Sequence, residues 1–135
     1  QSARIPDSML RHAAASLARM RWSRADVAGF LGEYLSTPKP HVSFVPRRRR
    51  LARAAFAQRL ERTDAVLDRK TQLLYLGRRF YFNGDALAPR PAGRAALAEL
   101  ANTRRIAGRA LARGGLAALA CEWYHDGMLH LERVA

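Results

Sequence analysis

His130-Leu131-Glu132 has the His-x-Glu form that supplies two ligands of an iron facial triad. On a strand both side chains project from one face, as such a pair requires. A triad also needs a distant histidine, and none follows; His125, the nearest, sits at a turn. The polar face of an edge strand accounts for the pair. No nucleophile with an adjacent base, carboxylate dyad or phosphate loop is found elsewhere. No residue of this chain is therefore expected to be catalytic, cofactor-binding or metal-ligating.

Arg47, Arg48, Arg49 and Arg50 form the densest charge in the chain. Their setting predicts a helix start, where cations are disfavoured by the helix dipole. Four of them there call for an anionic neighbour, either acidic side chains of another domain or nucleic-acid phosphate. The competing reading is a solvated helix start. Arg104, Arg105, Arg109 and Arg113 could touch phosphate on a later helix without reading sequence. The candidate polyanion-binding set is Arg47, Arg48, Arg49, Arg50, Arg104, Arg105 and Arg109, with RNA or DNA as the partner. Phe80, Tyr81 and Phe82 beside Arg78 and Arg79 have the types of a base-stacking platform. A strand with Phe80 and Phe82 in the core explains them better. Leu116–Tyr124 has no Arg, Lys, Asn or Gln to reach base edges. It is therefore expected to be a buried helix rather than a sequence reader.

The charge balance supports a polyanionic partner. Lys and Arg number 24 against 11 Asp and Glu, for a net charge of +13. Residues 1–63 carry 13 basic and 4 acidic groups, and residues 64–135 carry 11 and 7. Such an excess raises the local concentration of polyanions. Hydrophobic residues make up 49%, enough to fold. The one cysteine, Cys121, excludes an intrachain disulfide and a Cys-based zinc cluster, and is expected to be a small buried residue. No apolar run reaches bilayer length, and residues 1–20 lack the separate apolar core of a secretory signal. The expectation is a cytoplasmic protein without a membrane partner. A first residue of Gln rather than Met predicts processing or a piece of something longer.

These side chains must be positioned by a mostly helical chain. Leu10, Ala13, Ala14, Leu17 and Met20 give a helix over 7–21. Ser23 and Asp26 then read as a capping box. Val27, Phe30, Leu31, Tyr34 and Leu35 keep the helical period until Pro38 and Pro40 stop it. Two short helices make a hairpin too small to bury its own apolar faces, so these residues are the candidate dimer interface. His41–Val45 reads as extended. Arg48–Arg62 reads as a helix with Ala52, Ala55, Phe56 and Leu60 inward. Val66–Arg69, Gln72–Leu76 and Arg79–Asn83 read as strands, with turns at Gly77 and Asn83-Gly84. Pro89 and Pro91 open a helix over 92–101, and Asn102 or Thr103 caps another to about Ala112. Gly114-Gly115 breaks the chain before a helix over 116–124 and a strand over 128–132. The expected class is mainly α (α+β), a helical hairpin followed by a winged-helix-like domain with a small antiparallel sheet. The expected division is residues 1–45, a helical dimerisation unit and linker, and residues 46–135, the winged-helix-like domain.

FLGEYLSTPKPHVSFVP resembles the dimerisation region of bacterial JmjC/cupin-type ribosomal oxygenases. RRFYFNGDALAPRPAGRAALAELANTR is similar to the strand, Asn-Gly turn and first helix of that family's small winged-helix domain. LAALACEWYHDGMLHLE resembles its last helix, glycine turn and final strand. The resemblance spans most of residues 24–132. It implies a C-terminal, non-catalytic region of an iron(II)- and 2-oxoglutarate-dependent enzyme that hydroxylates a ribosomal protein. The iron and 2-oxoglutarate are then expected on an N-terminal cupin barrel outside this chain. The implied partners are a second copy of the chain, that cupin domain and the ribosomal-protein substrate.

Overall fold

A computed structural model describes residues 3–19 and 22–135 of the chain. Met20, expected on the first helix's apolar side, lies outside the described residues. Helix α1 (Asp7–Arg19) buries none of its side chains. Helix α2 (Arg24–Ser36) opens with the predicted capping box. The Asp26 N–H donates to the Ser23 hydroxyl at 3.0 Å, and the Ser23 N–H donates to the Asp26 carboxylate at 3.1 Å. Hydrogen bonding from the Ser23 side chain, and then from the Ser23 N–H, holds the Asp26 carboxyl below its ordinary value.

Helix α3 (Arg53–Arg62) begins later than the periodicity predicts. The reason lies in the segment before it. The Arg47 N–H donates to the His125 carbonyl at 2.8 Å and the Leu51 N–H to His125 Nε2 at 3.0 Å. These tertiary bonds hold residues 47–51 out of a helical ladder. The later start also corrects the inward face: Phe56 and Leu60 are buried, while Ala52 and Ala55 are exposed.

The strands are β1 (Thr63–Leu67), β2 (Leu73–Leu76), β3 (Arg79–Phe82), β4 (Asp85–Leu87), β5 (Arg105–Ala107) and β6 (Leu129–Arg133). They form two antiparallel sheets instead of one, ordered β5-β1-β6 and β2-β3-β4. In the first, Ala65 faces Ile106 on one side and Leu131 on the other. Strands β4 and β5, three residues each, are too short for an alternation to show in the sequence. The remaining helices are α4 (Pro91–Thr103), α5 (Gly108–Arg113) and α6 (Ala117–His125). The expected cap at Asn102 or Thr103 is corrected: α4 runs through both and stops at Arg104, whose φ is 64°. Arg104 donates to the Asp68 and Thr71 carbonyls, both at 2.9 Å, and this anchors its left-handed turn.

Helices α4, α5 and α6 with the sheet β5-β1-β6 make a winged helix in which α5 and α6 form the helix-turn-helix. Phe56, Leu60, Leu97, Leu100, Leu111 and Leu129 fill the centre. Phe82 stacks on Trp123 with ring centroids 3.8 Å apart and so ties the β2-β3-β4 meander to α6.

Helix α2 packs on that meander through small residues. Ala28, Gly32 and Ser36, four apart, turn toward the sheet, and a Cβ on Gly32 would lie within 2.5 Å of three Tyr81 ring carbons. The Gly84 N–H donates to the Ser36 hydroxyl at 3.0 Å. Phe80 and Phe82 are buried as expected, and Tyr81 is buried on the opposite face beneath α2. Among the described residues, no helix is long and apolar enough to cross a membrane.

Candidate interaction surfaces

In a DNA-reading winged helix, the second helix of the helix-turn-helix enters the major groove. Here that helix is α6, and residues 45–51 lie across its C-terminal end. Arg47 is the anchor. Its guanidinium lies 3.7 Å over the Tyr124 ring and donates to the Tyr124 carbonyl and, at 3.3 Å, to the Leu129 carbonyl. Its Nη2 reaches His130 Nδ1 at 2.7 Å. A guanidinium has only donors, so Nδ1 accepts and the Nε2–H donates to Asp68 at 2.8 Å. Burial alone pushes the Asp68 carboxyl up, but the bonds from His130 and the Lys70 N–H bring it below its ordinary value. Gly127, at φ 78°, lets the segment pass: a Cβ there would strike the Val45 backbone.

These contacts account for the His-x-Glu pair. His130 is held between Arg47 and Asp68, whereas Glu132 accepts from Arg105 at 3.0 Å. Arg105 also donates to Asp64 at 2.9 Å. Among the described residues, no group of three or more His, Cys, Asp or Glu is disposed to hold a metal ion.

The structure divides the seven candidate polyanion-binding arginines. Arg47, Arg104 and Arg105 are bonded inside the fold. Arg48, Arg49, Arg50 and Arg109 are exposed, and among the described residues no carboxylate lies within ion-pair distance of them. Arg53 joins the exposed set, although its place in the sequence suggests the interior of a helix. It shares with Arg50 a small groove also lined by Cys121, Glu122 and His125. Burial pushes the Cys121 thiol up, against the opposing pull of Arg53 and Arg50, and its Sγ lies 3.8 Å from His125 Nδ1.

The second surface is apolar. Val27, Phe30, Leu31, Tyr34 and Leu35 share the outer side of α2 and are between 42% and 68% exposed. Phe30 and Tyr34 stack at 5.9 Å. Leu10 and Leu17 of α1 are uncovered as well. A groove of about 430 Å³ runs beside this face, lined by Leu31 and Leu35 of α2 and by Leu73 and Leu76 of β2. Tyr81 also lines it, and its buried hydroxyl has no hydrogen-bond partner.

The fold has solved counterparts. The structure of YcfD, a ribosomal oxygenase from Escherichia coli, matches with a TM-score of 0.68 and 18% identity over 98% of this chain. YcfD in complex with cobalt and 2-oxoglutarate, and with cobalt and succinic acid, match with the same TM-score at 18% and 19% identity, again over 98% of this chain. The chain spans 37% to 38% of the length of those YcfD chains. No curated protein sequence matches it. The ROXA-like winged helix family matches residues 19–130, which includes α2, the arginine run and the winged helix as far as the start of β6. By that match the chain belongs to the ROXA-like winged helix family.

Proposed function

We propose that this chain is the non-catalytic C-terminal region of an iron(II)- and 2-oxoglutarate-dependent ribosomal-protein hydroxylase, in which it forms the homodimer contact and helps present the substrate. The observation that carries the dimer reading is the uncovered apolar face of Val27, Phe30, Leu31, Tyr34 and Leu35. An apolar patch of this kind marks a contact surface. The small residues Ala28, Gly32 and Ser36 already hold α2 to its own sheet, so the large ones remain for a second copy. The family match and the likeness to a solved ribosomal oxygenase support the enzyme context. In this reading the iron and 2-oxoglutarate belong to a cupin domain outside this chain, the protein works in the cytoplasm, and residues 46–135 pack beside the barrel.

Light scattering on the purified chain tests the dimer. A dimer at micromolar concentration is expected, and Leu31→Asp should turn it into a monomer with unchanged circular dichroism. A monomeric wild-type chain, or a Leu31→Asp chain that stays dimeric, overturns the reading. A His-x-Asp pair on a cupin barrel encoded upstream of Gln1 is the expected result for the enzyme context; a different upstream domain overturns it.

A further inference from the structure

The helix that reads DNA in other winged helices has its C-terminal end covered here, and arginines stand beside that end. Residues 45–51 form a strap pinned at both ends, by the Arg47 side chain and N–H at one and by the Leu51 N–H on His125 at the other. The pinning turns Arg47 inward and leaves Arg48, Arg49 and Arg50 exposed. Arg53, in the first turn of α3, borders the same groove as Arg50. We propose that Arg48, Arg49, Arg50 and Arg53 form a preorganised surface that binds the phosphate backbone of nucleic acid without reading its sequence.

Three observations lead there. First, among the described residues no carboxylate lies within ion-pair distance of these cations, Glu122 only lining the groove of Arg50 and Arg53, whereas Arg105 has both Asp64 and Glu132 within 3.0 Å. Second, the start of α3 is a poor place for cations. Its N-cap is Ala52, with no side-chain cap, so the exposed helix N–H groups and four guanidinium groups repel one another until an anion approaches. Third, α6 has no Arg, Lys, Asn or Gln to reach base edges. Its exposed residues include Ala118 and Glu122, and Arg47 with its strap blocks its C-terminal end. Phosphate contact without base contact fixes position but carries no sequence information. A polynucleotide fits better than one acidic protein patch, because the cation excess covers both halves of the chain and sums to +13. A strap already held in place gives up little conformational entropy on binding. The proposal is independent of the dimer reading, since the strap and α2's outer face are separate surfaces.

Fluorescence anisotropy with labelled duplex RNA and duplex DNA, each in two unrelated sequences, tests it over about 50 to 200 mM salt. Wild-type binding should weaken steeply with salt and differ little between sequences. The triple variant Arg48→Gln/Arg49→Gln/Arg50→Gln should lower the log–log salt slope on duplex DNA by about 0.9 for each phosphate it no longer neutralises, two to three in all. Its affinity at low salt should fall at least about tenfold. Arg48→Lys/Arg49→Lys/Arg50→Lys keeps the charge and should restore most of the slope. Arg69→Gln/Arg90→Gln/Arg133→Gln removes the same charge from exposed positions elsewhere and should leave the slope nearly unchanged. Equal losses in the two Gln triples would mean diffuse charge only and overturn the assignment. So would discrimination between sequences, absence of binding at low salt, or binding of polyglutamate without binding of either duplex.

Discussion

Adding one methyl group at Gly32 tests how α2 is seated, because Gly29 on the same helix provides a matched control. A Cβ at Gly29 meets nothing within 4 Å, whereas a Cβ at Gly32 would come within 2.5 Å of three Tyr81 ring carbons. Both substitutions to Ala gain the same helix propensity, about 0.5–1 kcal/mol. Only Gly32→Ala must also displace a ring that is 2% exposed and packed in the meander. Overpacking of that kind costs about 1–3 kcal/mol. Gly29→Ala should therefore stabilise the chain, and Gly32→Ala should lie about 1–3 kcal/mol below it. Urea denaturation followed by circular dichroism measures the difference. If α2 lifts instead of the ring yielding, the Gly84 N–H loses its bond to the Ser36 hydroxyl, and its hydrogen-exchange protection falls. A Gly32→Ala chain as stable as Gly29→Ala, with the Gly84 amide still protected, would refute the small-residue seat of α2.

Two further perturbations probe the strap. Arg47→Ala leaves the Tyr124 and Leu129 carbonyls and His130 Nδ1 without their shared donor, and should cost about 2–4 kcal/mol in urea denaturation. Arg48→Ala next to it should change stability by less than about 0.5 kcal/mol; similar losses at both positions would contradict the inward and outward division. Asp68 sets an acid dependence. Its carboxyl is lower in the folded chain than the ordinary unfolded value of about 3.9, so its stabilising effect is present at neutral pH and lost as pH falls below about 4. Asp68→Asn should lower stability at neutral pH and flatten the decline of the urea midpoint in acid. A decline as steep as wild type's would place the acid sensitivity elsewhere.

Much of the architecture is legible in short-range signals. Ser23 and Asp26 mark the start of α2, Asn83-Gly84 the turn out of β3, and Gly114-Gly115 the turn between α5 and α6, because caps and tight turns depend on residues a few positions apart. The burial of Phe80, Phe82 and most of α6 follows from apolar pattern. What the pattern misjudges is decided at long range. Residues 48–52 have helix-compatible composition, yet His125, distant in sequence, captures the Arg47 and Leu51 amides and holds the segment out of a helix. Strand β5 exists because β1 offers a ladder to residues that would otherwise continue a helical run.

The functional surfaces divide in the same way. Charge, the apolar stripe of α2, the winged-helix order and the lack of base-reading side chains on α6 are fixed by sequence alone, since they depend only on residue type and local period. Two decisions belong to the tertiary structure. Helix α2 meets its own sheet through Ala28, Gly32 and Ser36, so its large apolar side chains face outward, because only small residues admit the Tyr81 ring. In the arginine run, Arg47 turns inward and its three successors outward, because one guanidinium fits between the Tyr124 ring, two carbonyls and His130. Neither outcome is written in local periodicity, since each depends on a partner brought close only by folding.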